Sequence, residues 1–304
     1  MTAMKSTTCL LAFEAERALA QELAEALNLP LQFISRHRFP DGELRLVLPK
    51  PLPDCVVLLR GLQHPNEKLV ELMIAAPAAR ELGAKRLLLV APYLAYMRQD
   101  SEFTPGEAVS QRHIARLLSQ FFDHVLTIDP HLHRIDSLDE VMPVGTGLAL
   151  SAAPVLGAWI AAQVPGALLI GPDEESAQWV REAAGCGGLQ YAIGRKVRHG
   201  DAQVSLSLPD VEVTGRAVVL VDDMASTGRT LIGAAQALLA RGAASVDVAV
   251  THAVFNGDAL PELQAAGVRH VWSSNAVPHE SNAVSVVPLL AAALRPLLLA
   301  EHCV

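Results

Sequence analysis

Residues Val218–Val221 form an unbroken apolar run that ends on two adjacent carboxylates, Asp222 and Asp223. A strand with no polar residue on either face is buried on both sides, which parallel sheets covered by helices achieve. Runs rich in Val, Leu and Ile lie at Val56–Leu59, Arg86–Val90, Val125–Ile128, Ala167–Ile170, Ala217–Val221 and Val246–Val250. Between these runs, Glu14–Leu27, Glu67–Leu82, Ala108–Gln120, Glu175–Ala184 and Thr230–Arg241 carry helical periodicity. Strands alternating with such helices predict an α/β chain whose sheets are parallel and flanked by helices.

At 304 residues the chain exceeds one ordinary core, so two domains of about 150 residues are expected. An internal echo supports that division. Val56-Val57-Leu58-Leu59 leads through a loop and helix to Gly83-Ala84 and the strand Leu87–Val90. Val218-Val219-Leu220-Val221 leads in the same way to Gly242-Ala243 and Val246–Val250. Any two βαβ units share this much, so a duplicated domain and a coincidence of fold both remain open. A Gly, Thr and Ser cluster at 145–151 marks the boundary. The expected division is residues 1–147 and 148–288, with 289–304 a C-terminal helix returning to the first domain.

The chain carries 24 Lys+Arg against 32 Asp+Glu, a formal charge of −8, which argues against nucleic acid or an anionic membrane as partner. An anionic substrate then needs local donors: helix N-termini, a few arginines, a metal. No apolar stretch suits a membrane span or signal peptide, and the four cysteines are scattered without a CxxC pair. Reduced thiols in a cytoplasm are expected.

Met224-Ala225-Ser226-Thr227-Gly228-Arg229-Thr230 follows the carboxylate pair and opens a helix. Ligands of parallel sheets bind at the carboxyl edge of the strands. Backbone N–H groups there, with the Ser226, Thr227 and Thr230 hydroxyls, suit a phosphate. Asp222 and Asp223 repel phosphate oxygens and suit vicinal ribose hydroxyls or a hydrated magnesium ion. The segment lacks the GxxxxGK[ST] pattern of P-loop proteins.

This segment resembles the ribose-phosphate loop shared by type I phosphoribosyltransferases and ribose-phosphate pyrophosphokinases. Further motifs point to the pyrophosphokinases, including their archaeal-like branch. Phe39-Pro40-Asp41-Gly42-Glu43 resembles their Phe-x-Asp-Gly-Glu loop, which implies that Phe39, Asp41 and Glu43 read the ATP base from a neighbouring subunit. Pro92–Asp100 is similar to Pro-Tyr-x-x-Tyr-x-Arg-Gln-Asp, implying ATP contacts from Arg98, Gln99 and Asp100. Asp129-Pro130-His131 matches Asp-Leu-His with one change, and Gly171-Pro172-Asp173 matches Ser-Pro-Asp, which implies magnesium at His131 and Asp173. Arg195-Lys196-Val197-Arg198, placed at a strand end leading into a loop, is similar to the family's flexible loop, with Lys196 and Arg198 catalytic by resemblance. The ribose 5-phosphate residues implied are Asp222, Asp223, Ser226, Thr227, Gly228, Arg229 and Thr230.

The resemblance implies a type I phosphoribosyltransferase-like fold in two similar domains and at least a homodimer. The implied reaction moves a pyrophosphoryl group from Mg-ATP to the anomeric hydroxyl of ribose 5-phosphate. Departures exist: Glu175 and Ser176 replace two glycines, and Arg229 replaces another. Glu174 and Glu175 read as first-turn acids that complement a helix dipole. Two rival readings are a type I phosphoribosyltransferase and a catalytically silent regulatory homologue. The first has no use for the base-reading and Arg-Gln-Asp motifs. The second would be favoured by loss of Lys196, Arg198 or the Asp222-Asp223 pair, all of which are present.

Overall fold

The computed structural model describes residues 8–132, 134–199, 203–207 and 210–299. Two compact units divide the chain: Met1–Leu150 with Val287–Val304, and Ser151–Val286.

The first unit runs β1 (Thr8–Phe13), α1 (Arg17–Leu27), β2 (Leu31–Arg38), β3 (Leu44–Val47), β4 (Cys55–Leu59), α2 (Pro65–Glu81), β5 (Arg86–Val90), α3 (Ser110–Phe121), β6 (His124–Ile128) and β7 (Gly147–Leu150). Its sheet order is β3-β2-β1-β4-β5-β6-β7, parallel except for the antiparallel β2–β3 pair. Every residue of β1 and β4 is buried, as their unbroken apolar runs require. α1 keeps Leu19, Ala20, Leu23 and Ala24 inward and stops at Asn28, whose left-handed backbone (φ 54°) closes the last turn. Each fully buried leucine in such a core contributes about 1.5–3 kcal/mol.

The second unit contains α4 (Ala153–Gln163), β8 (Leu168–Gly171), α5 (Ala177–Gly187), β9 (Gln190–Ile193), β10 (Arg195–His199), β11 (Gln203–Ser207), β12 (Ala217–Ala225), α6 (Arg229–Ala240), β13 (Ser245–Ala253), α7 (Ala259–Ala265), β14 (Val268–Ser274) and β15 (Asn282–Val284). Its sheet order is β15-β14-β13-β12-β8-β9, all parallel, while β10 and β11 form a separate antiparallel hairpin. The last helix, α8 (Val287–Leu299), groups with the first unit. Arg295 Nη2 there donates to the Ala26 carbonyl at 3.0 Å, and Arg86 Nη1 donates to the Leu297 carbonyl at 2.6 Å.

The two sheets share one plan. Read from the edge, β2-β1-β4-β5-β6-β7 in the first unit matches β9-β8-β12-β13-β14-β15 in the second. Each carries an antiparallel hairpin between equivalent strands: β2–β3 before β4, and β10–β11 before β12. The echo in the sequence therefore extends to the whole topology.

Several details differ from the sequence reading. The helix expected over Glu14–Leu27 opens with a separate 3₁₀ turn at Glu14–Glu16. The strand expected to stop at Val221 continues to Ala225, so Asp222 and Asp223 lie within β12. Arg195–Arg198 is not a strand end opening into a loop; it is itself part of the strand β10.

Candidate active site

In each sheet the chain winds outward one way, then returns to wind the other, and the reversal leaves a crevice at the carboxyl edge. In the second unit that switch point lies between β8 and β12, which pair at Val218↔Leu168 and Leu220↔Ile170. Asp173 follows β8, and Asp222 and Asp223 lie in the carboxyl-terminal half of β12, so the fold delivers three carboxylates to one crevice.

Asp173 is buried and caps the short turn Glu174–Ser176, its Oδ1 accepting from the Glu175 N–H at 3.1 Å. Ser176 Oγ donates to the Asp173 carbonyl at 2.7 Å. The cap is therefore Asp173 itself, with Glu174 and Glu175 in the first turn and Glu174 facing Arg195 at 3.8 Å. Gly171 is required here, because a Cβ would lie 2.3 Å from Ser176 Oγ. Asp223 is buried, and its N–H donates to Asp222 Oδ1 at 3.0 Å. Burial, then the charges of Asp223 and Asp173, hold the Asp222 carboxyl well above the usual carboxylate range.

Past β12, Ser226 and Thr227 lead to Gly228, whose φ of 69° caps α6 in the left-handed region. The helix begins at Arg229, one residue earlier than its periodicity predicts, and its side chain is exposed. A cation at a helix N-terminus opposes the dipole unless an anion sits there. Asn256, beyond β13, braces the loop: its Nδ2 donates to Ser226 Oγ and its N–H to the Ser226 carbonyl, each at 3.2 Å. Nothing in the sequence flagged Asn256, because its partner lies thirty positions away and no motif contains it.

In the first unit, Phe39, Asp41 and Glu43 form the turn of the β2–β3 hairpin. The Phe39 N–H donates to the Glu43 carbonyl at 2.8 Å, the Gly42 N–H to the Phe39 carbonyl at 2.9 Å, and the Glu43 N–H to Asp41 Oδ1 at 3.1 Å. The Phe39 ring is exposed and meets His37 edge-on at 4.8 Å. Arg98, Gln99 and Asp100 follow β5, and His131 follows β6, on the carboxyl edge of the same sheet. Arg98 is exposed. Asp100 is buried and faces Arg134 Nε at 3.5 Å, whereas Gln99 Nε2 donates to Ser101 O and Glu107 Oε2, both at 3.1 Å. Arg98 thus presents its charge outward while its two neighbours shape the loop.

The side chains of Lys196 and Arg198 lie outside the described residues; their backbone pairs with Leu206 and Val204 across the β10–β11 hairpin. Among the described residues, no group of three or more His, Cys, Asp or Glu side chains is arranged to hold a metal by itself. Magnesium rarely takes an all-protein cage; one or two carboxylates plus substrate phosphates suffice, and the repulsion that Asp223 and Asp173 exert on Asp222 is one that a cation would relieve. Among the described residues no helix is long and apolar enough to cross a membrane.

The sequence profile for the N-terminal domain of ribose phosphate pyrophosphokinase matches residues 8–121, and that for the phosphoribosyl synthetase-associated domain matches 206–301. The ribose-phosphate pyrophosphokinase of Methanopyrus kandleri is 38% identical over 283 residues, covering 92% of this chain and 96% of that protein. The chain belongs to the ribose-phosphate pyrophosphokinase family. The Halobacterium salinarum ribose-phosphate pyrophosphokinase is 32% identical over 288 residues, 94% of this chain and 100% of its own. The crystal structure of phosphoribosylpyrophosphate synthetase from Mycobacterium smegmatis matches with a TM-score of 0.83 at 27% identity, covering 96% and 98% of the two chains. The first unit holds a site that its motifs did not reveal. Its own switch point, between β1 and β4, holds Glu16 and Arg60. The signal was present in the echo, since Arg60 follows Val56–Leu59 as Asp222 follows Val218–Val221.

Proposed function

We propose that this chain is a ribose-phosphate diphosphokinase that transfers the β,γ-pyrophosphoryl group of Mg-ATP to the 1-hydroxyl of ribose 5-phosphate, releasing AMP. The observation that carries the reading is the crowding of Asp173, Asp222 and Asp223 beside a hydroxyl-rich helix start, where burial and the two neighbouring carboxylates push the Asp222 carboxyl well above the usual range. Such a site is built to exchange protons for a cation and a polyhydroxylated anion.

In this reading the second unit binds the acceptor. Asp222 and Asp223 take the ribose hydroxyls, and Ser226, Thr227, Gly228 and Thr230 wrap the 5-phosphate, with Arg229 adding charge. The first unit binds the donor through Arg98, Gln99 and Asp100, and Phe39, Asp41 and Glu43 reach the base from a second copy. His131 and Asp173 would each contribute to holding magnesium, whose charge would offset that of the triphosphate. The anomeric oxygen bonds to the β-phosphorus in line as the bond to the bridging α–β oxygen breaks, AMP leaves with that bonding pair, and the hydroxyl proton passes to solvent. A loose transition state needs no strong base, so alignment and charge neutralisation supply most of the rate. Lys196 and Arg198, on their hairpin, stabilise charge on the group in transfer.

A homodimer follows from the same reading. Exposed Phe39, Val47, Val70, Met73 and Ile74 are apolar groups of the hairpin and α2, a surface suited to a second copy. Localisation in the cytoplasm belongs to the proposal as well.

The test is direct. Incubation with ATP, magnesium and ribose 5-phosphate should yield AMP in proportion to phosphoribosyl pyrophosphate. Lys196→Ala or Arg198→Ala should lower kcat by about 10²–10³-fold, the usual cost of one preorganised electrostatic group, with ribose 5-phosphate binding retained. AMP formation that ignores ribose 5-phosphate, or unchanged turnover in both variants, overturns the reading.

A further inference from the structure

The β2–β3 hairpin has little sheet to stand on. β2 pairs with β1 only from Leu31 to Ile34, so Ser35–Arg38 and all of β3 run beyond the parallel ladder. A two-stranded ribbon is marginal by itself, and Leu46 supplies part of its apolar attachment. The rest is a chain of alternating charges. Glu16 accepts from Arg60 Nη1 at 2.8 and 2.7 Å, and Arg60 Nη2 donates to Glu71 Oε2. Arg36 Nε lies 2.6 Å from Glu71 Oε1, Arg36 Nη2 lies 2.6 Å from Glu67 Oε2, and Arg38 Nε lies 3.5 Å from Glu67 Oε1. The spacing makes this geometry natural. Glu67 and Glu71 share a face of α2 at i,i+4, while Arg36 and Arg38 share a face of β2 at i,i+2.

We infer that this six-residue ion chain, Glu16–Arg60–Glu71–Arg36–Glu67–Arg38, is a positioning device that sets the angle at which the hairpin presents Phe39, Asp41 and Glu43. The inference rests on the base-reading role proposed for that turn. The chain starts where exposure is nil, with Glu71 at 0% and Arg60 and Glu16 at 4%, and ends at Arg38, the residue before Phe39. Buried ion pairs add little stability over apolar replacements of the same volume, but they define one arrangement where apolar packing tolerates several. Lys68 lies beside the buried end of the chain: it donates to the Gly61 carbonyl at 2.7 Å, and its charge acts through space on Glu16 and Glu71.

Kinetics of the full-length enzyme test it with Arg36→Met and Glu67→Gln, both at partly exposed side chains where folding survives. The expected result is a rise in KM for ATP of about tenfold, equivalent to roughly 1.4 kcal/mol, with KM for ribose 5-phosphate and kcat unchanged. Phe39→Ala is measured in parallel, and Glu67→Gln/Phe39→Ala should fall short of the sum of the single effects. If Phe39→Ala leaves KM for ATP unchanged, the base-reading assignment fails, and the inference with it. If Phe39→Ala raises it but Arg36→Met and Glu67→Gln do not, or if they raise both KM values alike, the positioning role alone is overturned.

Discussion

The chain builds the same switch point twice and treats the two in opposite ways. In the first unit, Arg60 enters the crevice between β1 and β4, stacks over the Phe13 ring at 4.5 Å and joins Glu16 to Glu71. Positive and negative charge are matched, and the crevice is spent on architecture. In the second unit, the residue at the equivalent place is Asp222, and its neighbours Asp223 and Asp173 repel it. One copy of the fold sets a cation between its carboxylates; in the other, carboxylates repel one another. On the proposed reading, one sheet plan serves two tasks: the copy with its charges paired supports the donor-side loops, and the copy with crowded carboxylates takes the ribose phosphate.

The comparison breaks first at Arg60. Arg60→Ala strands two buried carboxylates and should cost about 3–5 kcal/mol, read as a drop in the urea midpoint. A near-neutral result would mean that the first crevice is not closed by charge. The opposite sign is expected at Asp222. Its folded pKa is raised, so wild type binds more protons folded than unfolded, and stability falls as pH rises from the ordinary aspartate range through the folded value. Asp222→Asn should remove that part of the slope, raising Tm at neutral pH while abolishing AMP formation. Thermal melts from pH 4 to 8 show whether the slope vanishes. The smallest effect is expected at Glu174, exposed in the first turn after Asp173. Glu174→Gln should shift stability by no more than about 0.5 kcal/mol and leave turnover intact, since the capping is done by Asp173.

The buried half of this architecture was legible from the sequence because β4, most of β5 and the first half of β12 are apolar on both faces, a pattern few other structures tolerate. The hairpins were not. β2 reads Leu-Gln-Phe-Ile-Ser-Arg-His-Arg and β10 reads Arg-Lys-Val-Arg-His, strands whose polar residues leave no hydrophobic period. The site divided along the same line. Asp173 follows a strand and Asp222–Thr230 run from the last part of β12 into α6, and both were found by motif and position together. Arg60, Glu16 and Glu71 were invisible because their meaning lies in pairing across separations of 44 and 11 residues. Asn256 was missed for the same reason.

The overhang of β2 past Ile34 gives the donor-side turn a distinct sensitivity to ionic strength. Dissolved salt screens charges in contact with water over about 8–10 Å and barely reaches those inside. Glu67 and Arg38, with side chains 40% and 64% exposed, therefore loosen first as salt rises, while Arg60 and Glu71 hold. The ribbon should slacken from its tip toward its root.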